Sequence, residues 1–399
     1  MMRNSKPHIL IAGGGIGGLT AALSLLKRGF DVDVYEQASE LKEVGAGVQL
    51  SPNGNRVLFE LGVGEALMAL SCEATGKEIR LWNSGHTWKL FDLGAVSVAR
   101  YGYPYLTVYR PDLVEVLAQA VRALKPDAIH LKSRVLGFTQ DASGVTLQLE
   151  NSTVQGDALI GADGVHSVIR QGLFGADEPE RTGLMAWRGV IPMDRLPAHL
   201  RRPVGTNWVG PGAHVVNYPL HGGALMNFIG VVERSDIPVE SWSVRGSRDD
   251  CLMDFKGWHD DVQRMIQAID TPFKWALMQR APMERWSEGR VSLLGDACHP
   301  TLPFLAQGAV MALEDGFILA RAFDADTDIP QALRRYEDAR KERTRRIVQG
   351  AADNTKRFHN PELANVEGAS AYVDREWNEE RVRQRYDWLF TYDVTQEPI

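Results

Sequence analysis

The sequence predicts an α/β (α+β) fold: a parallel-sheet domain built on a β-α-β unit, an interwoven antiparallel-sheet domain, and a helical C-terminal region. Three observations carry this. A glycine cluster, Gly13 to Gly18, separates an apolar strand-like run from a helix-like run. Two later apolar runs also end in an Asp, at Asp163 and Asp296. Between those two, Gly183 to Val232 breaks into short alternating runs divided by Gly, Pro and Asn, the pattern of antiparallel strands.

The elements follow in order. His8 to Ala12 is an apolar run of strand type. Leu19 to Arg28 has apolar residues at helical spacing, and Gly29 is a stop signal. Asp31 to Tyr35 is a second strand-like run with Glu36 at its end. After about Glu314 the chain turns strongly helical. Arg334 to Arg346 mixes many Arg with Glu and Asp and reads as a solvated helix face. The tail from Trp377 to Tyr392 is aromatic and is expected to dock onto the body or onto a second subunit. The expected boundaries are 1–75, 100–182 and 285–350 for the parallel-sheet domain. The sheet-rich domain takes 76–99 and 183–284, and the tail takes 351–399.

Bulk composition bounds the function. The chain has 399 residues, 44% hydrophobic and 24% charged, enough for a sizeable core. A net charge of −7 argues against nucleic acid or an anionic membrane surface as a partner. Cys72, Cys251 and Cys298 are far apart and form no CxxC pair, so neither a disulfide framework nor a metal site is expected. A reducing, cytoplasmic setting fits this usage. Ile9 to Leu26 is crowded with glycine and reads as strand, turn and helix rather than a membrane span.

Gly13, Gly15 and Gly18 satisfy GxGxxG. The first glycine permits the tight turn, the second lets backbone approach a pyrophosphate, and the third lets helix and strand pack closely. The helix start then offers N–H groups and a positive dipole end to phosphate. Glu36 can accept both ribose hydroxyls of an adenosine, and its charge would repel a 2′-phosphate. The bound dinucleotide is therefore NAD or FAD, and the turn does not choose between them. The distant strand ends do. Asp163 in GADGVHSVIR and Asp296 in LLGDACHP stand where open α/β sheets bind ligands. Asp296 can accept from ribityl hydroxyls. Gly308 and Ala309 begin a helix that can face flavin oxygens or phosphate. A single such Asp is more often a helix cap. Three sites in one chain point to FAD.

GGGIGGLTAALSL with Glu36, YRPDL at Tyr109 to Leu113, GADGVHSVIR, and GDACHPTLPFLAQGAVMALED together resemble the motif set of the group A flavoprotein monooxygenases. The resemblance runs from about Pro7 to Tyr392. It implies a Rossmann-type FAD-binding domain and oxygen transfer from a C4a-hydroperoxyflavin. It implies that Gly13, Gly15, Gly18 and Glu36 hold the ADP half of FAD. By the same resemblance Val48 lies by the isoalloxazine, Arg110 contacts the middle of the cofactor and Val135 touches the adenine. Asp163 serves both FAD and the pyridine nucleotide, and Asp296 binds the ribityl region. No second GxGxxG exists, which fits a family in which NADH or NADPH binds transiently.

His214 and Tyr218 stand four apart in GPGAHVVNYPL. On a strand both point to one face. The resemblance places that face in the substrate pocket and gives the two residues the catalytic role. Members acting on 3-hydroxybenzoate and 6-hydroxynicotinate carry a Gln and a His where this chain has Pro303 and Phe304. These departures leave ring and position open. The expected reaction is hydroxylation of a small aromatic acid with O₂ and NADH or NADPH, salicylate to catechol with loss of CO₂ first. The alternatives are 3-hydroxybenzoate to gentisate and hydroxylation of 6-hydroxynicotinate. A flavin oxidase or halogenase, or a non-enzymatic flavoprotein, is the reading of a different class. Monomer and homodimer are both compatible with the family.

Overall fold

A computed structural model describes residues 6–41, 46–234 and 244–399. A six-stranded sheet runs in the order Ser287–Glu288, Val291–Leu293, Ala158–Gly161, His8–Ala12, Asp31–Tyr35, Ile129–His130. Every pair but the edge hairpin is parallel. Its central strands, HILIA and ALIG, are near-continuous apolar runs because helices cover both faces. The first helix, Ile16–Lys27, starts inside the glycine cluster. It stops where Gly29 takes φ +78, a left-handed conformation that costs glycine little.

The second large sheet has eight strands among the described residues. Their order is Val244–Arg245, Phe273–Gln279, Glu180–Pro192, Leu225–Glu233, Ala213–Leu220, Val204–Gly210, Gly76–Leu81, Thr87–Asp92. The sheet is antiparallel, as expected, except at one pairing. Val204–Gly210 pairs in parallel with Gly76–Leu81, because that earlier segment leaves the first domain to join this sheet. No described helix is long and apolar enough to cross a membrane.

Gly308–Ala325 packs against the first helix, and the 30-residue helix Ile329–Phe358 packs outside it. Here the solvated reading of Arg334 to Arg346 is corrected. Arg334 and Arg346 are exposed, but Arg340 is fully buried. Its Nε donates to Asp315 Oδ1 at 2.7 Å and its Nη2 to Glu314 Oε2 at 2.7 Å. Arg343 adds two bonds to Glu314. Two adjacent buried carboxylates require counter-charge, and this helix supplies it. The aromatic tail docks onto the body of its own chain. Phe390 sets its edge on Tyr101 and Tyr105, and Tyr386 meets Phe91.

Candidate active site

One cavity of about 660 Å³ runs along the carboxyl ends of the parallel strands and on beneath the eight-stranded sheet. It starts at Gly13 to Gly17 and Glu36. It passes Arg110, Val135, Asp296, Gly308 and Ala309, and ends in a chamber with His214 and Tyr218.

The three glycines of the turn do different work. Gly13 has φ +105, and a Cβ there would stand 2.3 Å from the Ala162 carbonyl oxygen. A Cβ on Gly18 would stand 2.0 Å from the Gly13 carbonyl oxygen. A Cβ on Gly15 would have nothing within 4 Å. Gly13 and Gly18 are thus demanded by the fold, whereas Gly15 leaves bare backbone facing the cavity. Glu36 is held at this turn. Its Oε2 accepts from Gly14 N at 2.7 Å and its Oε1 from Ala38 N at 2.8 Å.

The two aspartates separate. Asp163 is spent on a helix start: its carboxylate accepts from Ser167 Oγ at 2.5 Å and from the N–H groups of Val168 and Ile169. Its backbone still lines the cavity. Asp296 makes no side-chain hydrogen bond among the described residues and projects into the cavity. Desolvation pushes its carboxyl up, while His299 and Arg110 pull it down. The loop beneath it is fixed by Asp315, whose Oδ2 takes His299 Nε2 at 2.6 Å and Gly295 N at 3.1 Å. Gly308 and Ala309 open an 18-residue helix with their unsatisfied N–H groups at the cavity. Val48 lies on Gly47–Leu50, where Gly47 N donates to Asn227 Oδ1 at 3.0 Å. A Cβ on Gly47 would stand 2.6 Å from the Tyr218 ring, so this backbone is pressed against the chamber.

His214 and Tyr218 lie on Ala213–Leu220 and both line the chamber. His214 is 1% exposed, with its ring against Phe304 (5.0 Å, 80°) and Phe358 (5.1 Å). Its Nδ1 meets His359 Nε2 at 2.7 Å, and His359 Nδ1 meets Glu233 Oε1 at 2.9 Å. Burial, and after it the neighbouring His359, hold His214 well below the usual histidine value. Burial pushes the Tyr218 hydroxyl up, so it stays protonated. Pro303 and Phe304 give this wall an apolar surface. Residue reading missed His359, Glu233, Lys77 and Gln49. His359 lies 145 residues beyond His214, and no local pattern marks the pair.

These features fit FAD: bare backbone and a helix start for pyrophosphate, a carboxylate for adenosine ribose, an unbonded Asp296, and a second helix start beside an open chamber. Residues 6–351 match the family described as FAD binding domain. The chain is 38% identical to 3-amino-4-hydroxybenzoate 2-monooxygenase PtnB3 of Streptomyces platensis, over 98% of this chain and 97% of that one. It is 35% identical to 3-hydroxybenzoate 6-hydroxylase of Polaromonas naphthalenivorans, over 97% and 96%. Among solved structures it resembles Klebsiella pneumoniae HpxO complexed with FAD and uric acid. That likeness has a TM-score of 0.84 and 29% identity, covering 98% of this chain and 97% of that one. The fold, the cavity and these matches agree, and the chain belongs to the family of FAD-dependent aromatic monooxygenases.

Proposed function

We propose that this protein hydroxylates the ring of a small aromatic acid that already bears a ring hydroxyl, with His214 accepting that hydroxyl's proton. The observation that carries this is the hydrogen-bonded line from His214 through His359 to Glu233, which is 57% exposed. It joins the chamber to the surface. Glu233 accepts only, so His359 Nδ1 carries the proton, His359 Nε2 accepts, and His214 donates from Nδ1. That order leaves His214 Nε2 as an acceptor for a ligand in the chamber.

When bound, FAD supplies hydride acceptance from NADH or NADPH and activation of O₂ for transfer to an electron-rich ring. The chain's residues do the rest. The Gly15 backbone and the adjoining helix start would receive the pyrophosphate, and Glu36 the adenosine ribose. Val135 would flank the adenine, Arg110 the middle of the cofactor and Asp296 the ribityl chain. The backbone at Val48, and the N–H groups of Gly308 and Ala309, would serve the flavin ring. Asp163 acts by holding its helix in place. Tyr218 donates a hydrogen bond to the substrate. A phenol of pKa about 10 facing a histidine of about 6.5 or lower is opposed by roughly 5 kcal/mol. His214 therefore works as a conduit: the proton leaves toward Glu233 as oxygen transfer proceeds.

The relatives named for 3-amino-4-hydroxybenzoate and 3-hydroxybenzoate support a hydroxybenzoate-type acid and insertion with the carboxylate retained. Salicylate, whose hydroxylation at the carboxylate-bearing carbon would release CO₂, is the comparison. The test is NADH oxidation by the FAD-loaded protein with 3-hydroxybenzoate, 4-hydroxybenzoate, salicylate and 6-hydroxynicotinate in turn, with H₂O₂ measured in parallel. The proposal expects one acid to accelerate oxidation without matching H₂O₂. Oxidation recovered wholly as H₂O₂ with every acid would favour an oxidase.

A further inference from the structure

The chamber holds a cation for which the proton path has no use. Lys77 lies on Gly76–Leu81, opposite Gly205, and lines the cavity. Its stem crosses the bare Gly205: a Cβ there would stand 3.6 Å from Lys77 Cγ and 3.7 Å from Cε. Its Nζ sits 4.6 Å from the centroid of the Tyr105 ring. Tyr105 turns its hydroxyl to Gln49 Oε1 at 2.9 Å, and Gln49 lines the same chamber. No carboxylate of the described residues pairs with Lys77. Two other cations lie near. Arg80 is bonded to Glu78 at 2.9 Å, and Arg188, which acts on the Tyr218 hydroxyl from the same sheet, lies against the Phe273 and Trp275 rings and does not itself line the cavity. Arg134 lines the cavity beside Val135, at the far end from His214.

Resting on the reading of an aromatic acid substrate, we infer that Lys77 receives the substrate's carboxylate while His214 faces its ring hydroxyl. His214 pairs with Val209, which pairs with Leu81, whereas Lys77 pairs with Gly205. The two stand four residues apart along the strands, roughly 13 Å. They address the chamber from different ends, as a molecule with a hydroxyl at one edge and a carboxylate at another requires. A partly buried ammonium without a counter-ion carries a desolvation cost, and an incoming carboxylate offsets it. Burial lowers Lys77 to about 7, consistent with a group awaiting its anion.

The experiment is equilibrium binding to the FAD-loaded protein, read by the change in flavin absorbance. The ligands are 3-hydroxybenzoate, as the acid, and phenol, as its neutral counterpart. Lys77→Met is expected to weaken the acid roughly 10- to 100-fold, the usual range for a charge-assisted bond, and to leave phenol unchanged. Lys77→Arg is expected to retain most of the affinity. Because binding favours the protonated amine, wild-type affinity for the acid should fall as pH rises above about 7, and that of Lys77→Arg should not. Equal acid affinity in Lys77→Met and wild type, with FAD retained, would overturn the assignment and leave the functional reading intact. If Lys77→Met fails to hold FAD, the pH comparison of wild type with Lys77→Arg decides, and matching profiles overturn the assignment. Failure of the wild type to bind any hydroxybenzoate overturns both.

Discussion

His214 is packed against Phe304, Phe358 and His359, and the last of these joins it to Glu233. In the proposed path a proton accepted at its Nε2 travels along that line. Replacing His214 by Asn should lower kcat by about 10²-fold or more while FAD stays bound, because general-base contributions fall in that range. Replacing His359 by Gln keeps the packing but breaks the relay. It should lower kcat less than the His214 change and enlarge the solvent isotope effect, as read by steady-state assays in H₂O and D₂O. The glycine turn gives a second contrast at this scale. Gly13→Ala meets backbone at 2.3 Å and a left-handed φ, so it should lower the melting temperature. Gly15→Val meets open cavity, so it should leave the apoprotein's melting temperature intact and cut FAD retention.

At the scale of elements, two helices and one loop form a clamp. Glu314 and Asp315 on Gly308–Ala325, Arg340 on Ile329–Phe358, and His299 on the loop of Asp296 are joined by buried hydrogen bonds, and Arg343 adds part-buried ones. Removing one partner leaves buried charge uncompensated, so Arg340→Met should cost about 3–5 kcal/mol in urea unfolding. It should also loosen the loop that presents Asp296 and so weaken FAD. This clamp shows where sequence reading ends. The β-α-β unit was legible because its signals are local: an apolar run, a glycine turn and a stop glycine within a few residues of one another. The Arg-rich helix was misread because an i, i+4 mixture of Arg and Glu looks the same on a solvated face and a buried one. Which it is depends on the neighbouring helix. Asp163 illustrates the same limit, since its motif signals ligand binding while its carboxylate caps a helix.

At the scale of the molecule, the chamber is assembled from distant parts: Gln49, Lys77, His214, Phe304 and Tyr386 all line it. Their meeting follows from sheet order and the return of the tail, which no single stretch of sequence encodes. Only the resemblance made His214 and Tyr218 legible, and Lys77 and His359 stayed hidden. The charge pattern also sets the pH response of the whole fold. His214 and His359 are both lowered by burial. Below their unfolded value of about 6.5 the unfolded chain binds protons that the folded chain refuses, so stability falls as pH falls. Asp315 and Glu314 are lowered too, and their contribution is lost at still lower pH. His8, raised by its bond to Asp33, acts in the opposite sense. Unfolding free energy should therefore decline from about pH 6.5 downward by up to roughly 1.4 kcal/mol per pH unit per histidine, and the accompanying fall in melting temperature should be gentler in a His214→Asn, His359→Gln double variant.

The most direct measurement is product mass after turnover of the FAD-loaded protein with NADH, 3-hydroxybenzoate and oxygen-18 gas. The account predicts a dihydroxybenzoate that keeps its carboxylate and carries one labelled oxygen, formed far more slowly by His214→Asn. Recovery of the unchanged acid with labelled H₂O₂ would contradict ring hydroxylation. A labelled product formed equally fast by His214→Asn would contradict the proton path.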